Sequence, residues 1–316
     1  MPTNPDQLSL FPPKRKVRDR VCVGRILHLG AGVQSSCLAE MIVEGELPPV
    51  DLVLFADTGN EPKWVYAQVR YLKNRFESVN TPFSIVRKEG LGLVEHTISG
   101  KGRWAAMPLF TLNDDGSVGR LRRQCTSEFK IEPCDDEIRG WLVELGQATE
   151  KNGRRTVKQG VYVENIYGIS ADEQYRAGKR GPGWQRASYP LIDMGMTRTG
   201  CEDWLKAHGL RVPHKSSCII CPYHDNSYWK WLQTEHPDEF EEACQFDDWL
   251  RSDEAKVRIP SMVQANYLHD SCTPLREIDF DNPPKRSRRK VNVDQLQIEI
   301  IFADTCSTDG GFSCFS

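Results

Sequence analysis

The stretch Arg25-Ile26-Leu27-His28-Leu29-Gly30-Ala31-Gly32-Val33-Gln34-Ser35-Ser36 decides the fold. Its apolar run, Ile26 to Leu29, reads as a buried strand ending in a turn of small residues. Cys37, Leu38, Met41 and Ile42 follow at helical spacing. A second apolar run, Val50 to Phe55, then ends in Ala56-Asp57-Thr58-Gly59-Asn60-Glu61. A strand, a small-residue turn and a helix start together make an anion cradle, because amide N–H groups point out of the turn and the helix dipole is positive there. Gly30 and Gly32 let the backbone approach a phosphate, and Ser35 and Ser36 add hydroxyl donors. The common phosphate-loop patterns do not fit: no Gly-Lys-Ser/Thr follows the turn, and no third glycine completes a dinucleotide fingerprint.

The alternation continues beyond this stretch. Trp64, Val65, Val69, Leu72 and Phe76 have helical spacing, Phe83 to Arg87 reads as a third strand, and Leu91 to Thr97 as a short helix. Alternating strands and helices predict an α/β fold, a parallel sheet flanked by helices on both faces. In such sheets ligands bind beyond the strand carboxyl ends, where Gly30–Ser36 and Asp57–Glu61 both fall. Residues 99–124 read as a long polar loop ending in Arg120-Leu121-Arg122-Arg123-Gln124. Pro133 opens a helix carrying Ile138, Leu142 and Leu145, and 149–160 read as a charged connector. Val161 to Gly168 is a further strand. Thr199 and Glu202 have capping-box spacing for a helix with Trp204 and Leu205. Amphipathic helices follow over 226–232 and 237–250.

The chain of 316 residues is long enough for one large core or two modest ones, and its net charge of −3 excludes reading a partner from the total. It has no apolar run that would span a bilayer and no signal-peptide core, so a cytoplasmic location without membrane contact is expected. Four parts are expected: a disordered basic arm (1–20), an α/β domain (21–194), a small helical Cys-containing extension (195–280), and a basic linker with a Cys-containing tail (281–316). The alternation at Ile298, Ile300 and Phe302 lies in that last part.

Eleven cysteines without an export signal point to metal or redox chemistry in a reducing compartment. Cys218-Ile219-Ile220-Cys221-Pro222 is a C-x-x-C whose thiolates can reach one metal centre. With no second such pair, a four-cysteine zinc site needs distant ligands. Cys125 is the natural third member, with His214 and His224 as fallback zinc ligands. Cys22, Cys37, Cys134, Cys201, Cys244 and Cys272 read as small core residues. Arg122, Arg123, Lys130, Arg176 and Arg180 are candidate phosphate contacts, and Tyr175, Trp184 and Tyr189 are candidate base-stacking rings.

The turn resembles the pyrophosphate loop, SGGxDS, of the PP-loop ATP pyrophosphatases (adenine nucleotide alpha hydrolases, a HUP-type fold). Gly30, Ala31, Gly32, Val33, Gln34 and Ser35 occupy its six positions. Three depart from it: Gly30 for Ser, Ala31 for Gly and Gln34 for Asp, the last of which puts metal handling in doubt. The Asp57-Thr58-Gly59 segment, the Arg-Gln-Cys125 loop, Gly168-Ile169-Ser170-x-Asp172-Glu173-x-x-Arg176 and the C-x-x-C-Pro extend the resemblance across about residues 22–280. They place it in the phosphoadenylyl-sulfate reductase-like branch, near phage and bacterial DNA phosphorothioation-type sulfurtransferases associated with defence.

That resemblance implies ATP with Mg²⁺ held by Gly30–Ser36, Asp57, Thr58 and Arg176, with Ser35, Asp57 and Cys125 as catalytic residues. It also implies a [4Fe–4S] cluster on Cys125, Cys218 and Cys221, with Cys306 or Cys314 as a candidate fourth ligand; Zn²⁺ is the alternative. The expected reaction is a transferase chemistry: adenylylation of a nucleic acid (DNA ahead of tRNA), then sulfur insertion fed by a donor such as a cysteine desulfurase. Arg122, Arg123, Lys130 and Arg180 would contact that nucleic acid. In the arm, Gln7-Leu8-Ser9-Leu10-Phe11 resembles the peptide by which bacterial replication proteins dock on the sliding clamp. Two other readings stay open. One is a phosphoadenylyl-sulfate reductase, whose C-terminal Glu-Cys-Gly-(Ile/Leu)-His motif this chain lacks. The other is a non-catalytic clamp- or DNA-associated protein with a degenerate hydrolase fold.

Overall fold

The computed structural model describes residues 20–100, 104, 106–178, 182–260 and 262–284. Its centre is a five-stranded parallel sheet of order β3-β2-β1-β8-β9. The first half runs β1 (Val21–Leu29), α1 (Val33–Val43), β2 (Leu52–Ala56), α2 (Lys63–Ser78), β3 (Phe83–Val86) and α3 (Leu93–Ser99). The short strands β4 (Phe110–Leu112) and β5 (Val118–Arg120) lead through a π-helical turn, Ser127–Ile131, into α4 (Glu132–Glu144). Next come the hairpin β6 (Ala148–Lys151) and β7 (Arg154–Val157), then β8 (Val161–Tyr167), β9 (Gln185–Ser188), α5 (Pro190–Asp193) and α6 (Arg198–Ala207). The remainder is α7 (Asn226–Glu235), α8 (Pro237–Trp249), α9 (Asp253–Arg258) and β10 (Ala265–Tyr267).

The continuous apolar runs of β1 and β2 are divided between two faces by the two-residue period of a strand. Leu27, Leu29 and Val53 join α1, α2 and α6 through Cys37, Leu38, Leu72, Phe76, Cys201 and Leu205. Ile26, Leu52 and Leu54 meet α4 on the opposite face through Cys134, Ile138 and Leu142. The α1 residues Val33 to Ile42 are all buried. A separate core gathers Leu93, Met107, Leu109 and Phe129 with Trp229, Leu232, Phe240 and Leu268. It holds α7 and α8 against the segment that carries Cys125 and Cys218.

Three sequence expectations are corrected, and one strand was not anticipated. Residues 99–124 are not wholly loop, since β4 pairs antiparallel with β5 and with β10. Strands of three residues are too short to show a period. The connector 149–160 is the β6–β7 hairpin. Its turn signal was Asn152-Gly153, both at positive φ (52° and 72°), as a two-residue hairpin turn requires. The strand β9, beside β8, had no apolar run to announce it. The cap of α6 is Thr197, whose side chain accepts from the Gly200 amide, not Thr199. The segment Ile298–Phe302 lies outside the described residues.

Candidate nucleotide and thiol site

The central strand β1 has β2 on one side and β8 on the other, both parallel to it. Its carboxyl end is therefore the point where the sheet order reverses, the usual ligand crevice of such sheets. There the chain turns through Gly30 and Ala31 into Gly32, the N-cap of α1. That helix has no acidic side chain in its first turn and no side-chain cap. Ala31, not either glycine, takes the left-handed conformation, at φ 57°. A side chain there costs about 1–2 kcal/mol, and its methyl is buried against Phe55, Val65 and Val69.

The serines face inward. Ser35 Oγ donates to the Gly32 carbonyl at 3.3 Å, and Ser36 Oγ accepts from Gln68 Nε2 at 3.3 Å. The donors that this turn offers an anion are thus its amides rather than the Ser36 hydroxyl. Gly168, at the end of β8, closes on the turn so tightly that a Cβ there would lie 2.5 Å from Ser35 Cα. The segment after it delivers Ser170 and Glu173 to Gln34, whose Nε2 lies 3.5 Å and 3.2 Å from their oxygens. Arg198 of α6 donates to Gln34 Oε1 at 3.2 Å, and Arg176 pairs with Glu173 at 2.5 Å. The amide of Gln34 bridges an anion and a cation. A carboxylate at that position would face Glu173 with like charge.

Asp57 at the end of β2 is committed on both oxygens. Oδ1 accepts from the Gly59 amide at 2.8 Å and Tyr66 Oη at 2.9 Å; Oδ2 accepts from Arg87 Nε at 2.8 Å and Nη2 at 2.6 Å. It ties β2 to α2 and β3. Holding Mg²⁺, as the resemblance implies for it, would need a free carboxylate edge and so displacement of Tyr66 or Arg87.

The next residues reach the cysteines. Thr58 Oγ1 lies 3.0 Å from Cys218 Sγ and 3.0 Å from Glu61 Oε1, which Cys218 Sγ also approaches at 3.5 Å. The Ile219 amide donates to the Asn60 carbonyl at 2.8 Å, and Trp64 Nε1 to the Lys215 carbonyl at 3.3 Å. The C-x-x-C loop is therefore pinned to the segment that follows β2. On its other side, Gly59, at φ 76°, lies against Gly92 so closely that a Cβ would fall 2.4 Å from the Gly92 Cα.

Lys130 stands among the three thiols. Its ammonium is 3.8 Å from Glu61 Oε1 and only 12% exposed. Burial works against its charge, but Glu61, Cys218 and Cys125 outweigh that and raise its pKa. This corrects its assignment to nucleic-acid phosphates: it is an internal counter-charge. Burial pushes the Cys218 thiol well up, Glu61 adds to the shift, and Lys130 opposes it. Burial also raises Cys221; Cys125 adds to that shift, while the Tyr223 amide, Arg123 and Lys130 oppose it. The structure thus brings Cys125, Cys218 and Cys221 within electrostatic reach of one cation. Metal loading has to expel thiol protons.

Among the described residues, no three His, Cys, Asp or Glu side chains are grouped closely enough to hold one metal ion. Tetrahedral zinc, with bonds of about 2.3 Å to sulfur, requires such convergence, so the described residues give the zinc alternative no support. His214 stacks on Trp231 instead, and His224 Nε2 lies 2.9 Å from the Cys218 carbonyl oxygen. An iron–sulfur cluster spreads its thiolates over several metal atoms, and an all-thiolate donor set suits it. The candidate fourth ligands Cys306 and Cys314 lie outside the described residues, as do Arg180 and the arm residues Gln7, Leu8, Leu10 and Phe11.

Arg122 is exposed and Arg123 half-buried, on the strap before Cys125. Tyr175 is exposed, Trp184 takes the Arg139 guanidinium at 5.3 Å, and Tyr189 stacks on Tyr167. Sequence reasoning missed Glu61, Arg87, Arg198, Arg120 and Tyr223 as neighbours of the site. Glu61 stood in the quoted Asp57–Glu61 run, but nothing in the sequence marks Arg198 or Tyr223. No described helix is long and apolar enough to cross a membrane.

No family model matches the chain, and no curated protein matches it. Among solved structures it is similar to phosphoadenylyl-sulfate (PAPS) reductase from Candida auris, in a phosphate complex. That match has 16% identity and a TM-score of 0.38, covering 60% of this chain and 74% of the reductase. It is also similar to the U34-tRNA thiolase NcsA from Methanococcus maripaludis with its [4Fe-4S] cluster. Identity there is 12% and the TM-score 0.34, covering 73% of each chain. The functional reading rests on this chain's own side chains.

Proposed function

We propose that this chain is an ATP-dependent sulfurtransferase of nucleic acid, DNA ahead of tRNA, with ATP at the turn after β1 and sulfur handled at Cys125, Cys218 and Cys221. One observation carries the reading: Cys218 Sγ lies 3.0 Å from Thr58 Oγ1, so the thiols adjoin the same sheet edge as the anion cradle. A nucleotide site and a sulfur site are thereby supported as one site.

In the chemistry this supports, a nucleic-acid oxygen bonds to the α-phosphorus as the α–β phosphate bond breaks and pyrophosphate leaves. Charge growing on pyrophosphate is met by the first-turn amides of α1, with Arg176 and Arg198 beside them. A sulfide-level nucleophile, freed from a desulfurase persulfide when a thiol reductant cleaves its S–S bond, then bonds to the substrate atom carrying the activated oxygen, and AMP departs with that oxygen. Cys125, Cys218 and Cys221 would hold an iron–sulfur cluster, which supplies a binding point for sulfide when present. Lys130 offsets the negative charge of their thiolates. The clamp-binding reading of Gln7, Leu8, Leu10 and Phe11 stands as a companion proposal, tested by clamp retention with and without residues 1–13.

The test is pyrophosphate–ATP exchange in the presence of nucleic acid, together with anaerobic iron and sulfide analysis. Cys125→Ala is expected to keep exchange within about threefold and to abolish sulfur transfer, since the cradle is built without it. Sulfite release from phosphoadenylyl sulfate with a thiol reductant, without exchange, would replace this reading with the reductase. Neither activity would leave an accessory protein.

A further inference from the structure

Next to the thiols, the surface carries an aromatic ring under two guanidinium groups. Tyr223 follows Cys221-Pro222, is 43% exposed, and has the Arg120 and Arg123 guanidinium carbons 5.4 Å and 5.2 Å from its ring centroid. Arg120 ends β5, and the strap beyond it is held by Leu121 N to the Leu109 carbonyl and Gln124 N to the Ala106 carbonyl, at 2.9 Å and 2.8 Å. That fixed strap runs directly into Cys125.

A surface cation–π contact contributes about 0.5–1 kcal/mol, so the pairs explain how the strap is pinned. They do not account for a tyrosine that stays 43% exposed beside the thiol loop. An exposed aromatic ring grouped with two guanidinium planes is the chemistry that takes a nucleobase and its phosphate, since rings and guanidinium planes both stack on bases.

We propose that Tyr223, Arg120 and Arg123 form a stacking platform for one base of a single-stranded or extruded nucleotide, placing its neighbour over the thiols. This rests on the nucleic-acid reading above and names where the strand lies. The test is equilibrium binding of a fluorescent single-stranded oligonucleotide to the full chain across a salt series, read beside sulfur transfer. Tyr223→Ala is expected to weaken binding about tenfold, while Tyr223→Phe, which keeps the ring, stays within about twofold. Arg123→Gln should flatten the slope of log affinity against log salt by about 0.7, the loss of one phosphate contact. Binding that is unchanged in Tyr223→Ala and Arg123→Gln, with sulfur transfer intact, overturns the platform and leaves the sulfurtransferase standing. Tyr223-dependent binding without sulfur transfer keeps the platform and removes the sulfurtransferase.

Discussion

The turn after β1 and the thiol group beyond β2 adjoin one sheet edge, yet they are built by opposite means. The turn is seven consecutive residues, Gly30 to Ser36, and its donors are backbone amides set by a strand end and a helix start. The thiol group draws Cys125 from one loop and Cys218 and Cys221 from another. Cys125 opens the helical turn that runs into α4, whereas the Cys218–Cys221 loop has only turns of its own. What fixes them is the core of Leu109, Phe129 and Trp229, plus the pins at Asn60 and Thr58. The turn should therefore respond to backbone crowding, and the thiol group to loss of charge and packing.

The largest effect is expected where backbone meets backbone. Gly168→Val should cost about 3 kcal/mol of unfolding free energy and abolish ATP binding, because its Cβ would fall 2.5 Å from Ser35 Cα and neither chain can move aside. Denaturant midpoints with parallel nucleotide titration check this, and an intact midpoint would show that β8 does not brace the turn.

On the thiol side, Lys130→Met leaves Glu61 buried beside Cys218 without its counter-charge. A loss of about 2–3 kcal/mol is expected, less than a fully enclosed pair because the contact is 3.8 Å. Glu61→Gln in the same chain should recover most of it, and failure to do so would shift the cause from charge to packing.

Acid separates the halves further. Burial lowers the pKa of His28, in β1, to about 4, with Asn165 partly opposing, so the unfolded chain binds its proton first. Its contribution to stability is whole above the ordinary value near 6.5, falls by about 1.4 kcal/mol per pH unit below that, and levels off near pH 4. His28→Gln should remove this slope from urea midpoints measured between pH 6.5 and 4.

Gln34→Asp is expected to cost about 1 kcal/mol by setting a carboxylate beside Glu173, a loss that Glu173→Gln restores. Smallest of all, Ala31→Gly should be close to neutral in thermal unfolding. Relief of about 1 kcal/mol at φ 57° is matched by the lost burial of one methyl and the freer unfolded backbone.

The sheet was legible because its strands carry unbroken apolar runs that only a buried parallel sheet can house, as in Ile26–Leu29 and Val50–Phe55. The phosphate turn was legible for the same reason, being local. The partners of Asp57 and Lys130 were not legible because a charge in a sequence carries no sign of its partner. Arg87 and Tyr66 claim Asp57, and Glu61 claims Lys130, across distances along the chain that no spacing rule spans. The Asn152-Gly153 turn was readable and passed over, whereas β9 and the three-residue strands had no period to read.

By itself, then, the sequence determined the alternating strands and helices and the small-residue turn at the end of β1. These follow from hydrophobic periodicity and from the backbone preferences of a few adjacent residues. Only the tertiary structure decided that Cys218 meets Thr58, that Lys130 turns inward among the thiols, and that Tyr223 stays exposed beside Arg120 and Arg123. Such juxtapositions depend on how separate hydrophobic cores pack together, and that is a property of the whole chain.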